Sequence, residues 1–323
     1  MSKRKRALSL TACFAALVVS GNAALAFEPE SNDPIIIMLG NWTSINVQAE
    51  IAGQILQKLG YTVTYQPMDD SARYPAFEAG DATFAMETWA TTQKDTFEAS
   101  VATGNVLDMG ALDAQAKEDW WFPSYMKEIC PGLPNWEALK DPACAAAFAA
   151  PETAPKGRYL SGPVDWGGFD NERVEALGLP FEVVNAGTDA SMFAELQSAY
   201  ERKAPIMLWV YAPHWAPAKF EGEWVQFPKY EDACYKDAAW GSNPDKAYDC
   251  GKPEGWIKKM AWAGGEQKWP CAYEIIRKYN IDGKTLGLMA GEVDLDGKTI
   301  AEAATKWLSA NETTWKGWAA CGM

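Results

Sequence analysis

The sequence predicts an α/β fold in two lobes, and three observations carry that reading. Ile35-Ile36-Ile37-Met38-Leu39 is a continuous apolar run, the composition of a strand buried on both faces. Strand-like and helix-like segments then alternate as far as Trp89, the pattern of a mostly parallel sheet. The length, 323 residues, exceeds what one hydrophobic core usually organises.

After the first strand, Gly40-Asn41-Trp42 makes a turn, and Thr43-Ser44 offers a cap for a helix reaching Leu59. Val47, Ile51, Ile55 and Leu59 recur on it at intervals of four, and Gly60 stops it. Tyr61 to Tyr65 alternates as a second strand. Ser71 to Ala79 forms a short helix ended by Gly80, and Thr83 to Thr88 is a third strand running to Trp89. A second unit begins near Asp119. It holds a loop-rich stretch from Pro123 to Pro155, then strands at Arg158 to Leu160, Phe181 to Val184 and Pro205 to Tyr211. An amphipathic helix starts at Thr188-Asp189-Ala190-Ser191 and ends near Arg202. Residues 231–255 are acidic, carry two cysteines and read as a surface insertion. Helical patterns return at Cys271 to Tyr279 and Ile300 to Ala310. On this reading residues 27–119 and 223–323 form the first lobe and 120–222 the second, so the chain crosses between lobes twice.

The N-terminus reads as an export signal. It has basic residues at Lys3-Arg4-Lys5-Arg6, an apolar stretch from Ala12 to Val19 and a small-residue cleavage site at Ala24-Leu25-Ala26. Cleavage after Ala26 leaves 297 residues, and the loss of four basic residues takes the formal net charge from −14 to −18. So acidic a chain is a poor partner for nucleic acid or anionic lipid. Cys13 leaves with the signal, and the remaining six cysteines in an oxidising compartment read as disulfides. Cys130–Cys144 and Cys234–Cys250 bracket irregular segments, where a cross-link most restricts the unfolded chain, which leaves Cys271 to pair with Cys321. No C-x-x-C pair occurs and His214 is the only histidine, so neither a metal site nor a cofactor is expected. Asp294-Leu295-Asp296-Gly297 lacks the full ligand spacing of a calcium loop and reads as a turn.

Sixteen tryptophans are a heavy load for this length. Four aromatic residues stand apart by placement: Trp42, Trp89, Trp166 and Tyr211 each lie where a strand-like run ends and a turn or helix begins. In an open α/β sheet the carboxyl ends of the strands line the ligand crevice. Rings converging there form a box suited to a methylated ammonium group. Such a cation has no N–H to donate, so ring quadrupoles grip its charge while its methyl groups bury against the rings.

At these residues the chain resembles a known family, the glycine betaine/choline class of periplasmic substrate-binding proteins of ABC transporters. Gly80-Asp81-Ala82-Thr83-Phe84 leading to Thr88-Trp89 resembles its G-D-A-T-F…N-W stretch. Trp166-Gly167 is similar to its W-G, and Tyr211-Ala212-Pro213-His214-Trp215 to its W-x-P-H-W. Gly40-Asn41-Trp42-Thr43 is similar to the G-W-T of choline-type members, and Ala303-Ala304-Thr305-Lys306-Trp307-Leu308 also resembles the family. The resemblance implies a type II-like periplasmic binding protein with the ligand between its lobes. It implies a small methylated amine (choline, glycine betaine or trimethylamine N-oxide) as ligand, an inner-membrane permease as partner, and Trp42, Trp89, Trp166 with Gly167, and Tyr211 as binding residues. The protein is expected to act as a monomer.

Three positions depart from the family pattern. Tyr211 stands where tryptophan is usual, Thr88 where asparagine is common, and Glu87 where a neutral residue is usual. In an extended strand Glu87 and Trp89 share a face about 7 Å apart, so Glu87 is a candidate anion beside the ligand, or else pairs with a lysine or faces water. His214, after a proline at a strand end, is a candidate contact for a ligand oxygen or a structural hydrogen bond. The rival class is an exported carbohydrate-active hydrolase or sugar-binding protein using tryptophan platforms. Hydrolysis needs a carboxylate pair flanking the scissile bond, and no motif places one here; nor is there a G-x-S-x-G elbow.

Overall fold

The computed structural model describes residues 27–323; the segment read as an export signal lies outside them. In chain order the elements begin β1 (Ile35–Leu39), α1 (Thr43–Lys58), β2 (Val63–Pro67), α2 (Asp70–Ala79), β3 (Phe84–Trp89), α3 (Ala90–Ala102) and β4 (Val106–Pro123). The middle of the chain forms α4 (Met126–Ile129), β5 (Pro131–Pro134), α5 (Pro142–Ala147), β6 (Gly157–Ser161), α6 (Asp170–Leu177), β7 (Phe181–Asn185), α7 (Asp189–Arg202) and β8 (Leu208–Ala212). There follow α8 (Ala216–Lys219), β9 (Gly222–Trp224), α9 (Asp232–Lys236), β10 (Gly255–Trp262), α10 (Pro270–Lys278), α11 (Gly283–Asp294), α12 (Ile300–Ala310) and α13 (Glu312–Trp318).

The apolar run of β1 lies between β2 and β3, parallel to both, and Ile35, Ile37 and Met38 are fully buried. Helix α1 packs between this sheet and the helices α11 and α12. It is therefore buried well beyond a single stripe, with Ile45, Val47, Ala49, Ile51, Ala52, Ile55 and Leu56 all inaccessible. Helix α2 stops at Gly80, which takes the left-handed conformation that a residue with a side chain adopts only at a cost.

The sheet order is β2-β1-β3-β10-β4-β8-β6-β7, with β9 also paired to β4. Strand β4 joins the two lobes. Its residues from Val106 to Ala116 pair antiparallel with β10, and those from Lys117 to Pro123 with β8 and β9. The chain returns where Gly255, at the start of β10, faces Ala116. The sequence reading missed β4 and β10 because charged residues break their apolar patterns. Lys259 of β10 is buried, and its ammonium donates to the carbonyls of Tyr279 and, at 3.4 Å, Arg277.

Residues 223–254, read as part of the first lobe, bond to residues of the middle segment. Arg173 Nε donates to the carbonyl of Cys250 at 2.8 Å, and the Phe227 ring meets the edge of Trp120 at 5.6 Å. Lys252 donates from its backbone to Asp119 Oδ2 (2.9 Å) and from Nζ to Asp170 Oδ2 (3.2 Å). Asp170 also accepts from Trp120 Nε1 at 2.8 Å and Ser161 Oγ at 3.1 Å, so the buried charges are paired. Although residues 231–255 have an exposed polar exterior, Cys234, Asp249 and Cys250 are buried beneath it. Disulfides join Cys130 to Cys144, Cys234 to Cys250 and Cys271 to Cys321. Closing loops of this size restricts the unfolded chain by about 3–4 kcal/mol each.

Candidate functional site

Four rings meet between the lobes as successive walls at right angles. Trp42 meets Trp166 at 6.1 Å between centroids and 86°, Trp166 meets Tyr211 at 5.8 Å and 80°, and Tyr211 meets Trp89 at 5.4 Å and 84°. Trp42 and Trp89 come from the first lobe, at the N-caps of α1 and α3. Trp166 comes from the turn after β6 and Tyr211 from β8, in the second lobe. The cavity they line, with Asp70, Thr92 and Glu118, is small: the centre of a water-sized sphere can move through about 30 Å³ of it. All four rings are buried.

Each ring is fixed through its polar edge. Glu87 Oε2 accepts from Trp42 Nε1 at 2.7 Å and Trp89 Nε1 at 2.9 Å, and also from Ser44 Oγ at 3.1 Å. Its other oxygen accepts from Gln48 Nε2. Glu87 is fully buried in β3; burial raises its pKa, opposed by these donors. The carboxyl that the sequence set beside Trp89 thus has its oxygens on the outer edges of two rings, and it does not line the cavity. Trp166 Nε1 donates across the cleft to Asn41 Oδ1 at 2.5 Å, and Asn41 Nδ2 donates to Asp165 Oδ2 at 3.1 Å. Tyr211 donates to Asp189 Oδ1 at 2.9 Å. Gly167 follows Trp166 at φ +75°, with open space where a Cβ would stand.

His214 stands behind Tyr211, stacked on Phe193 with centroids 4.0 Å apart, and not at the cavity. Its Nδ1 accepts from the backbone N–H of Ala216 at 3.2 Å, so its proton sits on Nε2, and burial pushes its pKa down to about 3. Asp189, His214 and Asp294 offer ligand atoms within 4.8 Å of one another. A metal-bound histidine donates from its other ring nitrogen, whereas here that nitrogen accepts, so the group does not fit a metal.

Three cavity residues escaped the sequence reading: Asp70, Thr92 and Glu118. Asp70 is paired with the buried Arg73, whose guanidinium also donates to the Glu87 carbonyl at 2.9 Å and lies 5.7 Å from the Trp42 ring centroid. Glu118 is different. It lies directly across the β4–β8 ladder from Tyr211, so both side chains share a face. Its Oε1 is buried with no hydrogen-bond partner among the described residues. Burial pushes its pKa up to about 7, against the pull of Lys252 and of the Thr91 hydroxyl. The signal for Glu118 is thus its ladder partner, which only the pairing reveals.

A carboxyl and four rings around a compact space suit a small cation or dipole wrapped in methyl groups. Comparison with known proteins agrees. Residues 33–310 match the family described as the substrate binding domain of ABC-type glycine betaine transport systems. A trimethylamine N-oxide-binding protein of Pelagibacter ubique (strain HTCC1062) is 33% identical over 321 residues, covering 96% of this chain and 98% of that protein. Among solved structures, lactococcal OpuAC, closed on glycine betaine, superposes with a TM-score of 0.66 at 18% identity, over 88% of this chain and 99% of that one. A choline-binding protein of an ABC transporter, in complex with choline, gives 0.68 at 18% identity, over 90% and 93%. The chain therefore belongs to the family of ABC-type glycine betaine substrate-binding domains, and is a two-lobed, non-enzymatic, extracytoplasmic receptor of an ABC importer for a methylated ammonium solute.

Proposed function

We propose that the solute is trimethylamine N-oxide, gripped by Trp42, Trp89, Trp166 and Tyr211 and oriented by Glu118. The observation that carries this reading is the buried Glu118 carboxyl in the wall of the box, with one oxygen that makes no well-formed hydrogen bond among the described residues and only the Thr91 hydroxyl near enough to act on it. Burial favours the neutral carboxyl up to about pH 7, and a neutral carboxyl has one hydrogen to donate. An N-oxide oxygen only accepts, and its trimethylated nitrogen carries the positive charge the rings attract. Four desolvated faces at about 2 kcal/mol each reach the roughly 8 kcal/mol of micromolar binding. A betaine would bring its carboxylate against Glu118 and Asp70, and among the described residues no cationic one lines the cavity to receive it. The Pelagibacter ubique relative, named for trimethylamine N-oxide, points the same way.

On this reading Glu87 sets the angle of two walls and His214 backs a third, neither touching solute. The lobes divide at 116 and 255, following the strand pairing of β4 and β10. The leader is removed after Ala26, and the protein, a monomer, passes its solute to an inner-membrane permease.

Calorimetric titration with trimethylamine N-oxide, choline and glycine betaine tests the reading. The N-oxide is expected to bind tightest. Because the complex needs the Glu118 proton, its affinity is expected to hold below about pH 7 and to fall by about tenfold per pH unit well above it. Glu118→Gln keeps a donor and is expected to bind with that pH dependence gone. Tighter binding of choline, strengthening as pH rises, would mean that an ionised Glu118 serves a cation.

A further inference from the structure

The lobes also meet away from the box, along α11. Gly283, Gly287 and Gly291 recur every four residues and so share one face of that helix. A Cβ built on each would lie 3.4 Å from Pro213 Cβ, 3.3 Å from the carbonyl carbon of His214 and 3.3 Å from Trp215 Cβ, in that order. Three consecutive second-lobe residues therefore rest on three bare positions of a first-lobe helix. The contact starts beside the crossing, where Gly283 also nears Ala114, and runs outward to Asp294.

At that outer end Asp294 joins the lobes. Its Oδ1 accepts from Thr43 Oγ1 at 2.6 Å, and its Oδ2 from Trp215 Nε1 at 2.7 Å, with His214 Nε2 3.8 Å away. Thr43 follows Trp42 in the chain. We infer that Asp294 is a positioning residue that latches the closed form, tying the first turn of α1 to the turn after β8 without reaching the solute cavity. Opening the cleft gives up the Trp215 hydrogen bond and lifts Trp215 off the glycine face, while Thr43 stays bound to Asp294 within the first lobe. The latch acts on release of solute and not on its recognition.

The charged surroundings fit one anion at this point. Asp189 at the start of α7 is the other carboxyl nearby; burial, then the charge of Asp294, pushes its pKa up to about 8. With Asp189 protonated, Asp294 is the anion facing the Nε2–H of neutral His214; burial raises its pKa too, opposed by the Thr43 and Trp215 donors, while the Tyr211 hydroxyl rests on Asp189 and Lys219 lies 5.7 Å from the Trp215 ring centroid. Ionising Asp189 sets two carboxylates against each other across the cleft. Release is therefore expected to quicken as pH rises past about 8, and Asp189→Asn to remove that rise.

Stopped-flow tryptophan fluorescence tests the latch with trimethylamine N-oxide, choline and glycine betaine in turn. Asp294→Ala is expected to raise the release rate about tenfold, by the same factor for each solute that binds, with association changed less than twofold. Asp294→Asn, which keeps one acceptor oxygen, is expected to fall between it and wild type. A common factor separates the latch from recognition by Glu118, whose loss changes the preference among solutes. An unchanged release rate, a factor confined to one solute, or a loss seen only in the melting temperature of solute-free protein overturns the inference.

Discussion

The two halves of the aromatic box are built differently. In the first lobe a single buried carboxylate, Glu87, holds both Trp42 and Trp89 by their indole N–H groups, and Ser44 and Gln48 from α1 complete its set of donors. Every one of these partners belongs to that lobe, so the half-box survives opening of the cleft. In the second lobe one wall depends on closure. Trp166 is held by Asn41 from across the cleft, whereas Tyr211 is held by Asp189 of its own lobe, which lies near Asp294 of the facing one. The difference gives the lobes an order of action: the first presents a fixed corner for a solute to land on, and the second becomes rigid around it.

The largest test of that difference is removal of Glu87. Glu87→Ala strands two indole donors, a hydroxyl and an amide in a buried space, at about 1–3 kcal/mol for each group left unpaired. The expected outcome is a stability loss of at least about 3 kcal/mol in chemical denaturation and binding weakened beyond a hundredfold. Glu87→Gln keeps the size and one acceptor and provides a milder variant. Its affinities for trimethylamine N-oxide, choline and glycine betaine are expected to drop in parallel, because the rings and not the charge reach the solute. A drop confined to the cationic choline would place the Glu87 charge in recognition after all.

A smaller effect is expected one ring at a time. Trp89→Ala deletes a cation–π face and its apolar contact, for a loss of about 1–3 kcal/mol in binding. Trp240→Ala, in the segment after α9 and away from the cavity, is expected to leave calorimetric affinity unchanged. Equal losses at the two positions would mean that the cleft lies elsewhere.

The first-lobe half was largely legible in the sequence because its parts are local. The apolar run of β1, the fourfold spacing of α1 and the strand leading to Trp89 are each complete within a few residues, and Glu87 and Trp89 are two apart on one strand. Trp166 and Tyr211 could be named from their turns, but not what holds them, since Asn41 is 125 residues from Trp166. Glu118 was hidden for a related reason. In sequence it sits between Lys117 and Asp119, a charged triplet that looks solvated; only the pairing of β4 with β8 turns it toward Tyr211. Strands β4 and β10 share register shifts at their common ladder, so neither shows the clean alternation that marks a strand. The side given to residues 223–254 depended on buried partners, Arg173 and Asp170, that no local pattern exposes.

The smallest expected effect is the sharpest test of the order of action. Asn41→Ala removes the acceptor that fixes Trp166 and the donor to Asp165, while leaving Trp42, Trp89 and Glu87 untouched. One partly exposed hydrogen bond across the cleft is worth about 1 kcal/mol, or roughly fivefold in affinity. If the first-lobe corner receives the solute and Trp166 is set afterwards, that factor appears in the dissociation rate alone. Association, which requires only the open cleft and the Trp42–Trp89 corner, keeps its wild-type value. Asn41→Asp sharpens the result: it still accepts from Trp166 but faces Asp165 with a like charge, so its release is expected to be faster than that of the alanine variant. Stopped-flow tryptophan fluorescence separates the two rates. If Asn41→Ala slows association as much as it speeds release, Trp166 already takes part in the first encounter, and the two halves of the box act together rather than in turn.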